Sequence, residues 1–138
     1  PRPVLIVHPG VAMPTSEAFR RIAEQRGDPG APEAFAVGVD LLSGWDGVAS
    51  LAENDFEALA MKTAPGLAGA KAAMLASGAI VTLLSGSGSS LFGVFRDGGA
   101  RDSAAAVVED LGMGMTFWRA ETLGSMPGVE VDPAEGSA

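Results

Sequence analysis

A chain of 138 residues is the length of one domain and long enough to bury a core, and its 47% apolar content excludes general disorder. Nine basic residues, scattered along the chain, against seventeen acidic give a net charge of −8, which argues against a nucleic-acid backbone as partner. There is no cysteine, hence no disulfide or thiolate metal site, and no apolar run approaches the ~18 residues of a membrane span. With no charged-then-apolar leader ahead of the first strand, the expected location is cytoplasmic, with no membrane partner.

Val4-Leu5-Ile6-Val7 is a short apolar strand stopped by Pro9-Gly10. Thr15 or Ser16 is placed to cap a helix on which Phe19, Ile22 and Ala23 share one face, with Gly27 ending it. Residues 27 to 36 read as an irregular connection rich in Gly, Pro and Ala, and the stretch from Leu41 to Leu51 as a short helix or turn around Trp45. Asn54-Asp55-Phe56-Glu57 has the spacing of a capping box and opens another helix. Pro65 suits a first helical position, Leu67, Ala70 and Met74 follow at helical spacing, and Gly78 is a natural stop. Two strands are then expected, at Ala79–Leu84 and at Leu91 to Phe95. Beyond them Ala104, Val107, Val108 and Leu111 form an apolar helical stripe ending at Gly112, and a last strand lies near Met115 to Trp118. From Met126 the sequence turns small and polar, so the division is a domain over 1–125 and a flexible tail over 126–138. The order β-α-α-α-β-β-α-β predicts an α+β, ferredoxin-like fold: a mainly antiparallel sheet with helices on one face, in a split β-α-β arrangement.

Between the two middle strands lies Ser85-Gly86-Ser87-Gly88-Ser89-Ser90. Glycines permit positive φ and close approach, and serines add hydroxyls, a combination suited to phosphate oxygens, although the same residues also make plain turns. The loop is neither a dinucleotide fingerprint, since no helix follows it, nor a Walker loop, since it holds no lysine. On the phosphate reading, Gly86, Ser87 and Gly88 are the contact residues, and a β-branched side chain at Gly88 would fill ligand space.

Three segments in this order, Val4 to Phe19 with its Pro-Gly-Val-Ala-Met-Pro-Thr run, Glu53-Asn54-Asp55-Phe56-Glu57, and Leu84 to Phe92 with its Gly-Ser-Gly core, resemble the C-terminal half of the 4-diphosphocytidyl-2-C-methyl-D-erythritol kinases, a family of the GHMP small-molecule kinases. The resemblance covers nearly all of residues 3 to 122. It implies a ferredoxin-like GHMP kinase C-terminal domain belonging to an enzyme that uses ATP and Mg2+ to phosphorylate a hydroxyl of a cytidine diphosphate methylerythritol-like molecule, in non-mevalonate isoprenoid biosynthesis. Carried over position by position, Thr15 and Phe19 match residues at the cytidine end of the substrate pocket, and Gly86, Ser87 and Gly88 match the third GHMP motif beside the diphosphate. Read from the residues alone, Thr15 is a helix cap and Phe19 a core contact.

The first family motif with its lysine, the Gly-Leu-Gly-Ser-Ser loop for ATP phosphates and the catalytic aspartate have no match here; all belong to an N-terminal kinase half. The chain starts at Pro1, which reads as a truncated or cleaved product, so no catalytic residue and no metal ligand is assigned and the chain is expected to be inactive alone. His8, the single histidine, reads as structural or as a polar rim residue. Asp40, Asp46, Asp55, Asp97 and Asp102 lie mostly beside turns and helix starts, where carboxylates cap amides. Arg20-Arg21 suit either a diphosphate anchor or a solvated helix face. The alternatives are another GHMP kinase, of homoserine or mevalonate type, and a non-catalytic ferredoxin-like ligand-binding module.

Overall fold

The structure, a computed structural model, describes residues 1–27 and 38–125. The expected irregular connection from residue 28 onward and the expected tail over 126–138 lie outside the described residues. Four strands, β1 (Pro3–His8), β2 (Ala79–Leu84), β3 (Leu91–Phe95) and β4 (Thr116–Glu121), form one sheet in the order β2-β3-β1-β4. Every pairing is antiparallel, with Val7 opposite Leu91 and Phe117, and Leu84 opposite Leu91. This is the α+β, ferredoxin-like arrangement that the element order predicts: β1 leads through helices to β2 with β3 inserted between them, and β3 leads through a helix to β4 with β1 between them.

Alternation along the strands divides the core. Leu5, Val7, Leu84, Leu91 and Phe95 point to one face, where α3 (Glu57–Thr63), α4 (Gly66–Ala76) and α5 (Gly98–Asp110) cover them. Each fully buried side chain of this size stabilises the fold by about 1.5–3 kcal/mol. The helices lie close because their inner faces are small: Ala70 and Ala73 on α4, Ala104 and Ala105 on α5. At Gly93 α4 comes close to the sheet, since a Cβ there would stand 2.7 Å from Met74 Sδ. Val4, Val81 and Val94 point to the other face, against Trp45 and Ala49 of α2 (Trp45–Ser50) and against Ala52. A short 3₁₀ turn, Val39–Ser43, precedes α2. The main helical layer thus occupies one face, and the segment around Trp45 is a helix on the other.

Two local expectations are corrected. On α5 the buried residues are Ala104, Ala105 and Val108, while Val107 and Leu111 are exposed, so the inner face is turned by about one position from the expected stripe. Alanines fit closer to α4 than branched side chains do, and they take the inside. Neither Thr15 nor Ser16 caps α1 (Thr15–Arg26); Pro14 precedes it, and its carbonyl accepts from the Ala18 amide. Asp97 does cap α5, accepting from the Ala100 amide at 2.9 Å.

Candidate functional site

The loop between β2 and β3 is closed by two backbone bonds, Ser85 N–H to the Ser90 carbonyl at 2.8 Å and Gly88 N–H to the Ser85 carbonyl at 3.0 Å. Gly86 has φ 56° and Gly88 φ 99°, left-handed values that favour glycine. The two glycines differ in surroundings. A Cβ on Gly86 would meet nothing within 4 Å, whereas one on Gly88 would stand 2.7 Å from Met13 Cε and 3.3 Å from Leu84 Cδ2. The space beside Gly88 is therefore taken by protein rather than kept open, and the open approach is at Gly86. Among the described residues the amides of Gly86 and Ser87 donate to no protein acceptor, leaving two N–H groups at the exposed tip.

Thr15, freed from capping, reaches this tip. Its hydroxyl lies 3.1 Å from that of Ser87, across 72 positions of sequence, which brings the first turn of α1 onto the loop. One helical turn on, Phe19 is 59% exposed, so it is not the core contact that its apolar stripe suggests. Its ring meets Phe56 edge-on, with centroids 4.8 Å apart and planes at 68°. These two rings, with Ile22, Ala23, Arg26 and Asp55, line a surface groove of about 280 Å³. Arg26 and Asp55 form an ion pair at its rim.

The Asn54-x-x-Glu57 pattern is used differently from a capping box. Asn54 Oδ1 accepts from the Phe56 amide at 2.9 Å, but its Nδ2 donates to the Leu84 carbonyl at 2.8 Å and to the Gly86 carbonyl at 2.9 Å. Glu57 accepts from the Leu84 amide at 3.3 Å and forms an ion pair with Lys71 of α4, in place of returning to a helix amide. β2 is an edge strand, and its last residue has both backbone groups claimed by these two side chains. On the other limb, His8 Nδ1 accepts from the Gly10 amide at 3.1 Å, which assigns the ring proton to Nε2, 3.3 Å from the Ser89 hydroxyl. Ser89, buried, donates in turn to the Val11 carbonyl. His8 is thus part of the scaffold that holds the loop. Sequence reasoning assigns no such role to Asn54, Glu57, Lys71 or Ser89; the Asn54-x-x-Glu57 spacing marks the first two but not their partners.

Arg20 and Arg21 of α1 are committed to their own helix. Arg20 pairs with Glu17 at 2.6 Å and with Glu24, and Arg21 with Glu17 at 2.7 Å. Hydrogen bonds from Arg20 and then Arg21 hold the Glu17 carboxyl below its ordinary pKa, and hydrogen bonds to Glu17 and then Glu24 raise that of Arg20. This is the solvated-face arrangement, with the guanidinium charge already balanced. Asp46 pairs with Arg96 at 3.5 Å, and Asp102 with Arg101 and Arg119 at 3.0 and 2.9 Å. Among the described residues no helix is long and apolar enough to cross a membrane.

The family model "GHMP kinases C terminal" matches residues 40–112, more than half of the chain. The chain belongs to the GHMP kinase C-terminal family. The matched stretch of this GHMP domain includes Gly86, Ser87 and Gly88 and stops short of Thr15 and Phe19. Among curated relatives, a protein of Pelobacter propionicus named 4-diphosphocytidyl-2-C-methyl-D-erythritol kinase is 37% identical over 123 residues, covering 87% of this chain and 41% of its own length. One of the same name from Methylobacterium radiotolerans is 35% identical over 129 residues, covering 88% and 42%. The chain thus spans about two fifths of the length of the curated relatives it matches. Among solved structures, homoserine kinase from Cytophaga hutchinsonii superposes with a TM-score of 0.52 at 21% identity, over 88% of this chain and 42% of that one, a likeness of fold.

Proposed function

We propose that this GHMP domain is the substrate-side part of an ATP-dependent small-molecule kinase that phosphorylates a hydroxyl of a cytidine diphosphate sugar alcohol such as diphosphocytidyl methylerythritol. The observation that carries the reading is the Thr15–Ser87 hydroxyl contact: it joins an aromatic pair, Phe19 exposed and Phe56 half-buried, suited to a planar base, to a loop with two free amides, suited to phosphate oxygens. Thr15 and Phe19 then form the ring end of the pocket, and Gly86, Ser87 and Gly88 the diphosphate end, with Gly86 as the point of approach and Gly88 setting the turn. The names of the curated relatives support the choice of substrate. In this role the domain contributes orientation and fixed dipoles, which is most of what a protein supplies to phosphoryl transfer.

ATP and Mg2+ belong to the complete kinase on this reading. Among the described residues no three Asp, Glu or His side chains gather into a metal cage, so a magnesium ion here would have to be held mainly by substrate phosphates. The ATP-phosphate loop and the general base are the contribution of an N-terminal kinase half. The domain comprises residues 1–125, works in the cytoplasm and is inactive by itself. Mixing the chain with ATP, Mg2+ and diphosphocytidyl methylerythritol is expected to give no turnover, while cytidine 5′-diphosphate added alone shifts the NMR signals of Phe19, Gly86 and Ser87 together. Shifts confined to one end, or turnover at ~1 per second or faster, would refute the reading.

A further inference from the structure

Ring site and loop are joined by a side chain that touches neither ligand position. Asn54 spends its carboxamide on three backbone groups: it accepts from Phe56 N–H and donates to the carbonyls of Leu84 and Gly86. Phe56 is the residue whose ring meets Phe19, and Gly86 is the open point of the loop. From Nδ2 to Gly86 the link is 2.9 Å, and from Oδ1 to Phe56 it is 2.9 Å, so one planar amide spans the two ends of the site. The base of the bridge is firm, since Glu57 holds the Leu84 amide and is itself paired with Lys71 on α4. The far limb of the loop is anchored separately through Ser89, His8 and Val11, and α1 meets the loop at Ser87. A phosphate oxygen that accepts from the Ser87 amide reorients the Gly86–Ser87 peptide, whose carbonyl Asn54 holds, and must therefore move Asn54, and with it the backbone of Phe56.

We infer that Asn54 is a positioning residue that couples occupancy of the phosphate end to occupancy of the ring end. This rests on the ring-and-phosphate reading above. Neither aspartate nor alanine reproduces the bridge: aspartate keeps the acceptor for Phe56 N–H but sets a carboxylate against two carbonyls, and alanine removes both ends. Coupling by a shared two-ended element requires only that each ligand favour the same amide geometry.

The test uses cytidine and inorganic pyrophosphate as separate probes, followed by NMR on this chain. In the wild-type chain, pyrophosphate is expected to shift the amides of Phe56 and Glu57 as well as those of Gly86 and Ser87, and to tighten cytidine at least threefold. In Asn54→Asp, the loop amides still respond, while the response at Phe56 and the tightening are lost. Phe56→Leu, which leaves the carboxamide bridge in place, keeps the response at the amide of residue 56 and loses the tightening, and it decides the matter if Asn54→Asp unfolds. Tightening retained in a folded Asn54→Asp chain overturns the coupling. If neither probe binds the wild-type chain, the ring-and-phosphate reading fails, and the link is then judged without ligand by amide hydrogen exchange. Asn54→Asp should accelerate exchange at Ser85 and Gly88, whose amides close the loop, and in the first turn of α3 together, by tenfold or more; acceleration in the loop alone overturns the link.

Discussion

The two faces of the sheet are built from the same strands by the same alternation, yet they differ in how fully they are covered. On the helical face Leu5, Val7, Leu91 and Phe95 are completely buried under α3, α4 and α5. On the other, Ile6, Leu83 and Phe92 are half-buried, Trp118 is 50% exposed, and a groove of about 450 Å³ runs between the sheet and α2. Stability is therefore concentrated on one face, and the glycine-serine loop at the end of the sheet is held by Asn54, just ahead of α3, and by Thr15 of α1. A well-packed face gives the loop a fixed base without using the amides of Gly86 and Ser87.

The strongest way to break this comparison is to truncate one phenylalanine on each face of β3. Phe95→Ala should cost about 3–5 kcal/mol in denaturant unfolding, and Phe92→Ala roughly half of that or less; equal losses would mean that the second face carries as much of the core. Next comes over-packing. Gly93→Ala on the helical face places a methyl 2.7 Å from Met74 Sδ and 3.2 Å from Phe95 Cε2, and an expected loss of about 1–3 kcal/mol should shrink when Met74 is shortened to alanine in the same chain. A substitution in the opposite direction sharpens the picture. Thr82 lies on the helical face opposite Gly93, and its buried hydroxyl has no hydrogen-bond partner among the described residues, so Thr82→Val should raise stability by about 1 kcal/mol.

The smallest effect is electrostatic. Glu17 is held low by Arg20 and then Arg21, and Asp102 by Arg101 and then Arg119. A carboxyl whose folded pKa is depressed stabilises the fold above its unfolded pKa and loses that contribution as pH falls through the folded value. Melting temperature should thus decline below about pH 4.5, and the decline should be shallower in Glu17→Gln and in Asp102→Asn. Both carboxylates sit at the surface within solvent-screened ion pairs, so the change is expected to be slight beside the core substitutions.

Much of the fold is legible in the residues because strand alternation and turn chemistry are local. Ala79–Leu84 and Leu91–Phe95 are the expected strands residue for residue, and the glycine-serine loop is where its composition puts it. The inner face of α5 was less legible, since hydrophobicity ranks Val107 and Leu111 above Ala105, whereas the gap to α4 favours the smaller side chain. For the candidate site, the residue types at the loop stand out in sequence and Thr15 and Phe19 only through the family resemblance, while the function of Asn54 does not: the same Asn-x-x-Glu spacing serves a helix cap or a strand edge equally well.

By itself, then, the sequence determined the elements, their order and the α+β class, because each depends on neighbours within a turn or a strand. Only the tertiary structure decided that β2 is an edge strand whose last peptide needs outside partners, that Met13 fills the space beside Gly88, and that Thr15 turns from its helix to Ser87. These partners lie 27 to 75 positions apart, and a hydrogen bond or a packed methyl depends on distance in space, which the strand order sets and local periodicity does not encode.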